Sequence, residues 1–150
     1  MKDSPMEFMM VRVEPNLLEE IMNSNGNVLD QLLNKELTHS SFSDSDMSKS
    51  IPYSELAVFA ENPQHPFCIL FSDGNVLMDD YEWNYGPPVF IDEDETANMA
   101  HLFTQYLKEA DPEWKVGHSL ESSAHSEVRM VQQFLLEASQ QGKIVILGVQ

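Results

Sequence analysis

Three carboxyl groups and three aromatic rings interleave in one short stretch: Asp79, Asp80 and Glu82 beside Tyr81, Trp83 and Tyr85. Paired carboxylates can hydrolyse a glycosidic bond when they flank a cleft that pushes their pKa values apart. Acids with aromatics can also line a sugar site. The same residues suit a protein-binding surface, because Trp and Tyr are favoured interface anchors and surrounding carboxylates steer a basic partner. A further alternative is packing: Tyr81, Trp83 and Tyr85 fall on one face of an extended segment, which would turn them into the core.

Other chemistry finds little support. The chain has no GxSxG, no phosphate-cradling glycine loop, no HExxH and no paired CxxC. Cys68 lacks a neighbouring cysteine, and His39, His65, His101, His118 and His125 are scattered without the spacing of a zinc site. The D-x-D pairs Asp44/Asp46 and Asp92/Asp94 lack the glycine and glutamate that complete a calcium loop. As a nucleophile, Cys68 would need a base and a lowered pKa. Between Phe67 and Ile69 it is expected to be buried and inert. No metal and no cofactor is expected.

Charge sets the class of partner. The 150 residues carry 25 Asp and Glu against 8 Lys and Arg, a net charge of −17. Such a chain is repelled by nucleic acid and by anionic membranes and is attracted to basic partners. From 50 to 107 there is no Lys or Arg, while Glu55, Glu61, Asp73, Asp79, Asp80, Glu82 and the run Asp92-Glu93-Asp94-Glu95 are acidic. These acids are solvated, paired with the basic residues near the ends of the chain, or turned toward something basic. A hydrophobic content of 42% is enough for a real core. With one cysteine no intrachain disulfide can form. No signal-peptide core and no run of about 20 apolar residues is present, so a cytoplasmic location is expected.

The elements that would position these groups read as follows. Residues 6–13 form a strand apolar on both faces, with Phe8, Met10 and Arg12 on one side and Met9, Val11 and Val13 on the other, as suits an interior position. Pro15 opens a helix over 15–22, and a second helix covers 28–34. The serine-rich stretch 37–50 is expected to be a surface loop and the most mobile part of the chain. A short amphipathic helix is placed at 53–61. Phe67-Cys68-Ile69-Leu70-Phe71 and Val76-Leu77-Met78, around Asp73-Gly74, look like a β-hairpin. Tyr85-Gly86-Pro87-Pro88 must be extended or turning, and Val89-Phe90-Ile91 is a short strand. Asp92 and Glu95 form a capping box for a long helix, and four acids in its first turn are each stabilised by about 0.3–1 kcal/mol against the macrodipole. A last helix over 126–141 ends at Gly142, and 143–149 is a strongly apolar strand expected at the centre of the sheet. The class is α+β: a single compact domain over 1–150, a mixed small sheet with about five helices packed on it.

The run Asn84-Tyr85-Gly86-Pro87-Pro88-Val89-Phe90-Ile91-Asp92-Glu93-Asp94-Glu95, followed by an alanine-bearing amphipathic helix, resembles the YfbM-like family of uncharacterised bacterial proteins. The closing helix, glycine and apolar strand from Phe134 to Val149, and the opening strand and helix from Val11 to Met22, are similar to that family's. The chain departs from it at 37–50, where serines replace a helix bearing tryptophan and histidine. The resemblance implies a compact α+β domain and no established reaction. The function expected is that of a non-catalytic acidic binding protein of the immunity or inhibitor type. It would occlude a basic protein partner, such as a cognate toxin or nuclease, through Asp79, Asp80, Tyr81, Glu82, Trp83, Tyr85, Asp92, Glu93 and Asp94. The alternative is a small-ligand-binding or hydrolase-like domain with a pocket beside Tyr85-Gly86-Pro87.

Overall fold

First and last strands lie side by side at the middle of the sheet. In the computed structural model, which describes residues 7–40, 42–48, 51–52, 61, 63–77, 81, 83, 88–110 and 126–149, strand β1 (Glu7–Val13) pairs with β5 (Ile144–Val149). The register runs from Phe8 opposite Val149 to Val13 opposite Ile144. Strand β2 (Ile51–Pro52) flanks β1, and β4 (Val89–Ile91) and β3 (Asn75–Val76) continue beyond β5, giving the order β2-β1-β5-β4-β3. Every pairing is antiparallel, which corrects the expected mixed sheet within the α+β class. Two helices are described between β4 and β5, and a return over two helical passes leaves the strands antiparallel, where a single crossover helix would leave them parallel.

Period-two alternation sorts these strands onto two cores. Phe8, Met10, Ile91, Val145 and Leu147 face α3 (Pro66–Asp73), α4 (Glu93–Ala110) and α5 (Ser126–Gln140). Val11, Val13, Ile144 and Ile146 face α1 (Pro15–Asn23) and α2 (Asn27–Leu33) on the other side. Because both faces of β1 and β5 are covered, both strands are apolar in continuous runs.

Local signals start most of these helices. Pro15 stands in the first turn of α1. The capping box of α4 closes both ways, Glu95 N–H donating to Asp92 Oδ1 at 2.8 Å and Asp92 N–H to Glu95 Oε1 at 2.9 Å. The expected hairpin at 67–78 is corrected: Pro66–Asp73 is helical. His65 Nδ1 caps it by accepting the Phe67 N–H at 3.0 Å, and Pro66 is pre-set for a first turn. The helix buries Phe67 and Leu70 three residues apart, Phe67 meeting Phe8 edge-on with ring centres at 5.1 Å. Cys68 is half-buried on that helix instead of lying within a strand. Asn75 and Val76 do form a strand, but they pair with Phe90 and Val89. The helix expected at 53–61 falls almost wholly outside the described residues.

Gly148 lies in β5 where the Trp83 ring rests on its backbone. A Cβ there would stand 2.8 Å from Trp83 Cε3 and 3.3 Å from the Pro88 Cα. Gly148→Ala is therefore expected to cost about 1–3 kcal/mol by overpacking and to shift the Trp83 emission to longer wavelength. Urea unfolding followed by tryptophan fluorescence reads both; an unchanged midpoint with unshifted emission would contradict this packing.

Candidate functional site

Of the nine residues singled out in the sequence, Asp79, Asp80, Glu82 and Tyr85 lie outside the described residues, as do Gly86 and Pro87 of the alternative pocket. Tyr81 and Trp83 are 8% and 9% exposed, and their rings belong to the core beneath α1 and α2. This burial corrects their assignment as partner-binding anchors. Tyr81 covers Gly26, whose φ of +85° turns the chain between α1 and α2 and leaves no room for a Cβ. Its hydroxyl donates to Asp30 Oδ1 at 2.6 Å and accepts the Trp83 Nε1–H at 3.1 Å. Burial, and then the hydrogen bond to Asp30, push the Tyr81 pKa up, so the hydroxyl stays a donor. Asp92 is half-buried in its capping box, and Glu93 and Asp94 are exposed in the first turn of α4.

Among the described residues the densest charge cluster lies at one end of the β1–β5 pair. Arg12 shares a strand face with Phe8 and Met10, is 4% exposed, and lies 5.1 Å above the Phe134 ring of α5. Its Nε donates to Asp46 Oδ1 at 2.9 Å and its Nη1 to Glu137 Oε1 at 2.9 Å. Lys143, just before β5, donates from Nζ to the same Asp46 oxygen at 3.0 Å. Asp46, also 4% exposed, closes a short 3₁₀ turn (Asp44–Asp46) and accepts the Ser43 N–H at Oδ2 at 2.9 Å.

Electrostatics follow from these bonds. Burial alone would raise the Asp46 pKa, but hydrogen bonds from Arg12, Lys143 and the Ser43 backbone outweigh it and hold the carboxyl below its ordinary value. Burial alone would lower that of Arg12; its bonds to Asp46 and Glu137 carry it upward instead. Glu137 is lowered by the Gln133 amide and then by Arg12. Asp46 thereby fastens the serine-rich loop to β1. Beyond it, Met47 bridges Val11, and Ser48 exchanges two 2.8 Å bonds with Met10 through its N–H and its hydroxyl oxygen.

Two cavities flank the fastening. A polar one of about 320 Å³ is lined by Arg12, Asp46, Lys143 and the loop serines Ser40, Ser43 and Ser45. A mainly apolar one of about 300 Å³ lies between β1, the loop and α5. Ser43 Oγ is 3.5 Å from Asp46 Oδ2, but a carboxylate held ionised by two cations is a poor base, so this pair is not an activated nucleophile. Among the described residues no group of three His, Cys, Asp or Glu could hold a metal, and no helix is long and apolar enough to cross a membrane. In the sequence the only trace of the cluster is Arg12, a charge on an apolar strand face; Asp46 is one acid among many in a polar stretch.

Fold and site together define an α+β protein with helices on both faces of one antiparallel sheet and a buried ion cluster at its end. That fold is the YfbM fold. The crystal structure of YfbM from Escherichia coli, a protein of unknown function, is similar with a TM-score of 0.50 at 14% identity, over 96% of this chain and 99% of that one. At such identity the likeness is one of fold, and at that level it agrees with the resemblance read from the sequence. No protein-family model and no curated protein matches the chain.

Two substitutions test the site. Asp46→Asn leaves Arg12 and Lys143 undercompensated and is expected to cost about 3 kcal/mol near neutral pH, the low end for a broken buried pair because Lys143 lies close to water. A carboxyl whose folded pKa is depressed contributes stability above its unfolded value, 3.8, and loses it as pH falls through the folded value. The gap in urea midpoint between wild type and variant should accordingly narrow as pH drops below about 4. A gap that holds constant would count against the ion pairs. Tyr81→Phe strips the buried Trp83 Nε1–H of its acceptor and should cost about 1–3 kcal/mol, measured in the same way; a loss below that range would mean water reaches the indole.

Proposed function

We propose that this chain is a non-catalytic acidic binding protein whose partner is a basic protein, of the immunity or inhibitor type, neutralised by occlusion. One observation carries the reading: among the described residues, three of the five bases are buried or tied up in the ion cluster. Arg12 and Arg129 are each buried and Lys143 is engaged with Asp46. Among the described residues Lys35 and Lys108 are the exposed bases, against Glu14, Glu19, Glu20, Asp30 and Glu36 around α1 and α2, Glu93, Asp94 and Glu109 on α4, and Glu61. An acidic exterior on a chain of net charge −17 attracts a basic surface over a Debye length of about 8–10 Å and speeds encounter.

The test immobilises the full chain and passes native host lysate over it at low salt, then applies a salt gradient. The wild type is expected to retain a basic protein that salt releases. The variant Glu19→Gln/Glu20→Gln/Glu93→Gln/Asp94→Asn, which spares the internal bonds of Asp30 and Asp92, should hold that protein at least about tenfold more weakly. Retention indifferent to salt and to the four changes would refute the reading.

A further inference from the structure

The apolar cavity between β1 and α5 has a one-sided chemistry. Its walls are the side chains of Met10, Met47, Met130 and Phe134, with Glu137 and Gln133 at the polar edge. Methionine is flexible and polarisable, and walls of it adapt to an apolar body instead of dictating its shape. At about 300 Å³ the space is at the small end of ligand cavities. Its polar edge is rich in acceptors. Glu137 is half-exposed, with 44% of its side chain open, and each of its carboxylate oxygens has a further lone pair beyond the bonds to Arg12 and Gln133. Gln133 donates its amide N–H to Glu137 at 2.9 Å, so its amide oxygen remains an acceptor. The Ser48 hydroxyl oxygen already takes the Met10 N–H. Among the described residues no Lys or Arg lines the cavity; Arg12 meets Glu137 from the polar side.

We infer that this cavity binds a small amphipathic cation, a compact apolar body bearing a primary ammonium, with the body among the methionines and the ammonium on Glu137. An ammonium supplies donors where the edge offers acceptors, and it shares the Glu137 carboxylate with Arg12. A carboxylate-bearing ligand of the same shape meets the opposite. The site is independent of the acidic exterior proposed above, which concerns a macromolecular partner.

Three probes of matched shape separate the terms: n-pentylamine, 1-pentanol and pentanoate. Each is titrated into the full chain carrying ¹³C-methyl methionine, near physiological ionic strength so that charges beyond about 8 Å are screened. With the amine, the methyl signals of Met10, Met47 and Met130 should shift together and saturate, while that of Met99, buried on the inner side of α4, stays in place. The amine should bind at least about tenfold more tightly than pentanoate, with pentanol between. Glu137→Gln should bring the amine down to pentanol. Met130→Trp, which fills the space, should abolish binding of all three, the unmoved Met99 signal reporting that the fold is intact. No saturable shift with the amine, equal affinity for amine and pentanoate, or a preference that survives Glu137→Gln would each overturn the inference.

Discussion

The pairing of β1 with β5 is the constraint on which the other elements depend. It joins Phe8 to Val149 and Val13 to Ile144, so the two ends of the domain must meet before either core can close. That is a long loop to bring together, and its entropic cost is recovered only when both faces are covered. Each strand residue then commits to one layer: Met10 and Leu147 to α3–α5, Val11 and Ile146 to α1 and α2. A slip of one residue would exchange the two layers, and would also send Arg12 into the apolar layer beneath α1.

Arg12 shows how the sheet deals with the exception. It sits on a face that is otherwise apolar, at the end where Lys143 enters β5, and the loop supplies Asp46 to both cations. Removing such charges from water costs several kcal/mol per ion, and their attraction repays little more than that. What the cluster contributes is placement. It draws a segment with few apolar anchors, 42–48, onto the edge of β1, where Met47 and Ser48 can pair with Val11 and Met10. The loop in turn forms a wall of both cavities.

Internal use of the bases also shapes the outside. With Arg12 and Arg129 buried and Lys143 spent on Asp46, the acids of α1, α2 and α4 have few cations to face among the described residues. The acidic exterior and the ion cluster are thus two sides of one distribution of charge. A macromolecule would read the first, whereas a small ligand would meet only the cavities beside the second.

Much of the architecture was legible in the sequence wherever a local preference and a burial pattern agreed. Both-face apolarity marked 6–13 and 143–149 as interior strands, and both are. Pro15 and the Asp92/Glu95 pair marked helix starts because caps act within one turn of chain. The run Phe67–Phe71 was misread because five apolar residues serve a buried strand or a buried helix equally well; the decision lay in the His65 cap and in contact with Phe8. Of the candidate surface, Tyr81 and Trp83 went inward once Gly26 and Gly148 offered them flat backbone to lie on. The ion cluster joins positions 12, 46, 137 and 143, and no short-range signal links residues so far apart. The sequence by itself determined charge, strand alternation and helix caps, because these act over a few residues. Which polar groups were buried, and against what, only the tertiary structure decided, since the cost of burying a charge depends on partners that the fold alone brings within 3.0 Å.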